Sequence, residues 1–328
     1  MQDATPHFYL YKLVMGHHSQ VGITATFSVD DYDTNVILKH EKTRKVKEDD
    51  RTNHIVTTEA QTGPVFLTYR NVPELDKIVN ETVKKKEPLY DFTTPDGIKH
   101  TVWILPDEYN EQVVSSIAGV KNLYIADGHH RAASASRAQK VKKELNPANN
   151  GNEEYNYFLG VLFPANQLKI LPYNRVIRDL NGLTKQDFMR AISTEFVIER
   201  TTATVPGSTH CFCMYLDKEW HMLHPRFSPG TDPIESLDVK LLQDHILGPV
   251  LGIKDPRNDK RIDFIGGSSS IEKLQDSVDS GTFRLGFSLY PTTIDQLMRV
   301  SDADKIMPPK STWFEPKLRS GIVVHLLK

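Results

Sequence analysis

Several familiar signatures are missing from this 328-residue chain. It has only two cysteines, Cys211 and Cys213, which sit two apart in the alternating run HCFCMYL. A strand would place both side chains on one face, and neighbours of that kind are poorly placed for a disulfide. A disulfide-stapled secreted scaffold is therefore excluded, and reduced strand thiols are expected, with a CxC metal or redox site as the weaker alternative. No window approaches the roughly 20 apolar residues of a membrane span. The N-terminus MQDATPHFYLYKLVMG has no basic stretch followed by a long apolar core. Neither anchor nor export signal is expected, and the cytoplasm is the expected compartment. Neither sign of charge dominates: 40 basic and 42 acidic residues leave a net charge of -2. No global field draws in nucleic acid or an anionic membrane, so any anion site has to be local. Repeats and coiled-coil heptads are absent too. So is a P-loop: Lys310-Ser311-Thr312 ends like one but lacks the required GxxxxG.

The residues that are present, 39% hydrophobic and 25% charged, describe a folded globular chain. FYLYKLVM and VGITATFSV flank the polar turn GHHSQ, a hairpin signature. The charge-dense run KHEKTRKVKEDDRTNHIVTTEA reads as a solvated helical face. VPELDKIVNETVKKK has Pro early and Leu75, Ile78, Val79 and Val83 at helical spacing. HTVWIL is a strand, HCFCMYL and WHMLHP a hairpin across DKE, and SLDVKLLQDHILGPVLGI a helix stopped at Gly248-Pro249. Strands and helices do not alternate strictly, so the expected class is α+β, with mixed sheets and flanking helices. The polar stretch NPANNGNEEYN suggests either a division into residues 1–150 and 151–328 or a surface loop. Strand-like sequence begins within a few residues of Met1, so the chain is expected to start partway into a larger fold.

Gly-His-His occurs twice, at residues 16–18 and 128–130. The first copy lies between two strand-like runs and reads as a turn. The second lies between the apolar strand LYIA and the Ala-rich run RAASASRAQKVKKEL. At such a strand-to-helix junction Asp127 is a favoured N-cap type and Gly128 permits a tight turn. The free N–H groups of the helix start attract anions. Arg131 adds a bidentate fork, and His129 and His130 add groups that titrate near neutrality. The bland alternative is a capped helix with a core histidine and Arg131 paired to a carboxylate. Zinc is the other local alternative, but adjacent histidines at a helix start diverge by about 100°, away from the i,i+4 spacing of ligands. Further candidates are Lys39, His40, Glu41, Thr43, Arg44, Glu48 and Arg51 in KHEKTRKVKEDDR, and Lys310, Ser311, Thr312 and Lys317 in MPPKSTWFEPK. IDFIGGSSS is a weaker phosphate signal. A basic stripe with interleaved aromatics is lacking, so nucleic-acid binding is not expected.

YIADGHHR, together with FSVDDY, KHEKTR, EDDRTNHI, AQTGPVFL, EPLYDF and MPPKSTWFEPKLRSG, resembles the domain-of-unknown-function 1015 family from about residue 8 to the C-terminus. The resemblance implies kinship with free serine kinases. It also implies a ParB/sulfiredoxin-like element in which a Gly-x-x-Arg string at a helix start holds nucleotide phosphates, here Gly128-His129-His130-Arg131. Family members generally carry a further segment ahead of the strand that begins near His7. The implied activity is phosphoryl transfer from ATP or ADP with Mg2+ to a small hydroxyl substrate such as L-serine. Asp127 would orient the hydroxyl or bind Mg2+. Gly128, His129, His130 and Arg131 would grip phosphate, and Arg44, Lys310, Ser311 and Thr312 would add contacts to the nucleotide. His130 and Glu41 are the other catalytic candidates. The kinases place a general-base carboxylate ahead of the GHHR-like string; no motif matches it here, and the alternatives are Glu41, Glu48 or a missing base. A non-catalytic nucleotide- or metabolite-responsive protein is the alternative. The expected partners are nucleotide and small-molecule substrate, without nucleic acid or membrane, and a homo-oligomer is left open.

Overall fold

The computed structural model of the protein describes residues 3–327. Its backbone forms two compact units, Met1–Lys169 together with Pro316–Lys328, and Ile170–Glu315. The class is α+β: a mixed eight-stranded sheet and an antiparallel six-stranded sheet, with nine α-helices among the described residues. Among these residues no helix is long and apolar enough to cross a membrane.

In the first unit the sheet runs Ile37–Leu38, Leu123–Asp127, Val65–Tyr69, Tyr157–Pro164, His18–Ser28, Tyr9–Met15, Lys99–Ile104 and Tyr90–Thr93. The expected hairpin forms with Met15 opposite His18, so the turn is only Gly16 and His17, with Gly16 at φ +58. His18 opens the second strand rather than lying in the turn, because a two-residue loop suffices to reverse the chain. Two pairings are parallel: Ile37–Leu38 with Leu123–Asp127, and Val65–Tyr69 with Tyr157–Pro164. The helix Pro73–Lys85 buries Leu75, Ile78, Val79 and Thr82 against the core cluster built around Leu67, Leu105 and Ile125. The charge run becomes the helix Lys45–Thr58, which buries only Thr52 and Ile55. The chain end returns to this unit, where His325 pairs with Gln61 and Leu326 with Ala60.

In the second unit the strands Phe196–Thr201, Glu219–Pro225, Phe212–Leu216, Leu285–Leu289, Asn174–Ile177 and Ile262–Ile265 form the antiparallel sheet. The HCFCMYL hairpin turns on Asp217 and Lys218, both at positive φ. Both cysteines are free; Cys213 is buried in the strand, while Cys211 precedes it and is half-buried. The helix Asp238–Leu242 continues as a π-turn, Gln243–Leu247, and ends at Gly248.

Candidate active site

The strand Leu123–Asp127 is buried through Ala126, and the helix His129–Leu145 starts two residues after its last residue. The neighbouring strand shifts register between Phe66 and Leu67, opposite Asp127 and Ile125, a bulge that re-aims the strand end. Gly128 sits at φ +97, and a Cβ there would stand 2.8 Å from Arg131 Nε. The left-handed turn favours glycine, and a Cβ there would also displace the guanidinium that lies against its backbone. Ala132, Ala133, Ser134, Ala135 and Ser136 are buried beneath, as small side chains allow.

The cap differs from the expectation. Gly128 is the N-cap residue and no side chain caps the helix. Asp127 stands one residue too early to reach the first-turn N–H groups; its Oδ1 accepts from Gly128 N at 2.8 Å instead. Its Oδ2 accepts from Lys317 Nζ at 3.0 Å. Burial pushes the Asp127 carboxyl up, but the Lys317 and Arg131 cations outweigh it and leave the group below the usual carboxylate range. Burial pulls the Arg131 guanidinium down, and the Asp127 charge opposes that.

The two histidines tie a loop to the helix start. His129 is 3% exposed, and its Nε2 accepts from His40 N at 3.4 Å. Its other ring nitrogen lies 3.7 Å from the Glu41 carboxylate. His130 Nε2 accepts from Arg44 N at 3.0 Å. Burial lowers the pKa of both, with the Arg51 and Lys47 charges adding to the effect at His130. His40 packs edge-on against His129 with ring centroids 4.4 Å apart, and burial lowers it to about 4. Glu48 is occupied elsewhere, 3.4 Å from Arg137.

A cavity of about 220 Å³ opens beside Arg131. Arg51, His54, Gln61, Thr62, Gly63 and Ser320 line it together with Ile55, Val65, Phe158 and Leu159, and its lining contains no carboxylate. Gln61 is engaged by the backbone, donating to Tyr157 O at 3.2 Å and accepting from Leu159 N at 2.7 Å. The segment Pro316–Gly321 supplies Lys317 to Asp127 and Ser320 to the cavity wall. Gly321 N donates to Thr62 O at 2.7 Å. Arg319 holds this segment to the sheet edge through Asp96 and Thr94.

The first unit thus gathers Asp127, Gly128, His129, His130, Arg131, Glu41 and Arg44. Lys310, Ser311 and Thr312 belong to the second unit. There Lys310 is exposed at φ +59, and the Ser311 hydroxyl is committed to Pro308 O at 2.6 Å. Sequence reasoning did not single out Thr62, Gly63 or Ser320 as site residues; the only signal was their place in the strings QTGP and LRSG. Among the described residues no three His, Cys, Asp or Glu side chains converge to hold a metal ion.

Over residues 1–240 the sequence matches the profile of a family described as "Protein of unknown function (DUF1015)". No curated protein matches the chain. Solved structures similar to the chain at low identity include the following three. A conserved hypothetical protein from Pyrococcus furiosus is 12% identical, with TM-score 0.41, covering 90% of this chain and 94% of that one. A free serine kinase in complex with AMP is 13% identical, with TM-score 0.42, covering 89% and 86%. C-terminally truncated SbnI from Staphylococcus aureus is 10% identical, with TM-score 0.46, covering 92% and 87%.

Proposed function

The chain belongs to the DUF1015 family, and we propose that it transfers a phosphoryl group from ATP or ADP to a small hydroxyl-bearing substrate, with free L-serine as the candidate acceptor. One observation carries this reading: Arg131, folded back on the bare backbone of Gly128, shares with Arg51 a cavity whose wall has no carboxylate. Two guanidinium groups without an opposing acid on the wall favour a highly charged oxyanion. At about 220 Å³ the cavity is smaller than the roughly 300–1,000 Å³ of sites that enclose whole ligands, so it suits a phosphate tail rather than a nucleotide. The ParB/sulfiredoxin-like element is part of the same proposal.

Phosphoryl transfer depends mostly on positioning and charge neutralisation. Arg131 and Arg51 neutralise phosphate, while the hydroxyls of Thr62 and Ser320 supply neutral donors. Glu41, beside His129, is the general-base candidate, and the bond from Arg44 N to His130 fixes the loop that carries it. Mg2+, when bound, would supply charge neutralisation between phosphates. It usually takes one or two carboxylates plus phosphate oxygens, and Asp127 would be the candidate ligand, giving up its bond to Lys317.

The test is incubation with ATP or ADP, Mg2+ and a panel of amino acids, followed by mass spectrometry. A phosphorylated amino acid is the expected product. Nucleotide binding without transfer would replace the reading with that of a nucleotide-responsive regulator.

A further inference from the structure

Arg175 is the single buried arginine or lysine among the described residues, 3% exposed. It stands in the strand Asn174–Ile177 of the second unit, opposite Phe264, whose ring centroid lies 5.4 Å from Arg175 Cζ. Its guanidinium donates to two backbone carbonyls, that of Tyr173 and, at 3.0 Å, that of Lys310. No ion pair forms at Arg175 or Lys310 among the described residues. Arg137 has Glu48 and Asp49, and Arg261 has Asp259, whereas Arg178, which like Arg175 donates to two backbone carbonyls, is exposed to water. Burial pulls Arg175 down to about 9, with Tyr173 opposing, so it remains a cation at neutral pH.

A neutral donor could tie the same two carbonyls together without the desolvation cost of an uncompensated charge. Lysine and arginine are almost never fully buried unless paired. The surroundings point to the missing partner. Lys310 brings a second cation on an exposed loop held at φ +59; its Nζ lies 3.3 Å from Tyr173 Oη and 5.1 Å from that ring's centroid. Trp313 meets Tyr173 edge-on, with centroids 5.1 Å apart. Its six-membered ring lies so close to Gly266 that a Cβ there would stand 2.4 Å from Cε3. Glu315 accepts from Trp313 Nε1 at 2.7 Å and pairs with neither cation.

We propose that Lys310 and Tyr173, with Arg175 behind them, bind the oxyanion of a small molecule, a phosphate or carboxylate group whose flat carrier rests against Trp313. Lys310 Nζ and the Tyr173 hydroxyl donate to the oxyanion. Arg175 acts as a positioning residue, holding the carbonyls of Tyr173 and Lys310 and contributing its charge. This site does not rest on the nucleotide reading of the Gly128–Arg131 junction.

The test uses the full chain carrying Arg51→Ala and Arg131→Ala, which takes both guanidinium groups from the other anion site, and follows tryptophan fluorescence during titration with inorganic phosphate or with benzoate. Saturable binding of either is expected, and which one binds identifies the group. Lys310→Ala should weaken it at least about tenfold, as loss of a charge-assisted contact does. A response that Trp313→Phe abolishes places the ligand at this site. Arg175→Met separates the two roles of the arginine: weaker anion binding with an unchanged or raised melting temperature supports the site. A lowered melting temperature with unchanged binding would make Arg175 a structural tie and overturn the proposal, as would the absence of saturable binding by both anions.

Discussion

Lys317 Nζ and Asp127 Oδ2 lie 3.0 Å apart across 190 residues of sequence. The pair joins the segment before the C-terminus to the strand end that opens onto Gly128. Ser320, three residues beyond Lys317, reaches the cavity wall by the same route.

Lys317→Ala should cost no more than about 1 kcal/mol near neutral pH, because both side chains are substantially exposed, 42% and 38%. Its clearer effect is on the acid limb of stability. The folded-state pKa of Asp127 lies below its ordinary value. Its contribution is therefore present above the unfolded pKa and is lost as pH falls through the folded one. Without Lys317 the folded pKa rises toward the unfolded one, so the contribution shrinks and less stability is lost as pH falls. Urea denaturation from pH 7 down to 3 checks both effects.

The two Gly-His-His copies should respond differently to the same substitution. Gly16 is at φ +58 with open space where a Cβ would stand, so Gly16→Ala should cost about 1 kcal/mol. Gly128→Ala meets both a φ of +97 and the Arg131 guanidinium. It should cost about 3 kcal/mol. Urea midpoints of the two variants compare them directly.

Arg131→Ala and Arg51→Ala should each weaken nucleotide binding by about 1–3 kcal/mol, as loss of charge-assisted bonds does. Calorimetry with ADP reads the change. Unchanged affinity in Arg131→Ala would remove this cavity from the phosphate-binding role.

The buried imidazoles predict a second pH dependence. His40 is held at about 4 by burial, below its unfolded value of about 6.5. Its stabilising contribution is complete above the unfolded value and is lost as pH falls from there through about 4, with a slope approaching 1.4 kcal/mol per pH unit between the two. Melting temperatures between pH 7.5 and 4.5 should show the decline, and His40→Phe should flatten it.

Local chemistry was sufficient to specify the junction itself. LYIA is a short apolar run ahead of a glycine turn, as a buried strand is, Gly128 supplies the left-handed turn, and the small residues after Arg131 let a helix pack closely. The alternating HCFCMYL and the spacing of Leu75, Ile78 and Val79 likewise announced their elements. These signals have periods of two to four residues, and a sequence displays them directly. The cap was misjudged by one position, because a side chain's reach to an N–H depends on the turn actually adopted.

Only the tertiary structure decided who meets whom. Glu41 and Glu48 look equivalent in KHEKTRKVKEDDR, yet Glu41 lies beside His129 and Glu48 pairs with Arg137. The two histidines accept backbone N–H groups from residues 40 and 44, residues that no local pattern ties to them. Arg175 sits in the apolar run ILPYNRVI, and nothing in that run reveals that it is buried without an acid. Thr62, Gly63 and Ser320 come together because a strand at His325–Leu326 pairs with Ala60–Gln61 and brings the chain end back. Contacts across such separations follow from sheet pairing and chain return, which no short-period pattern of residues encodes.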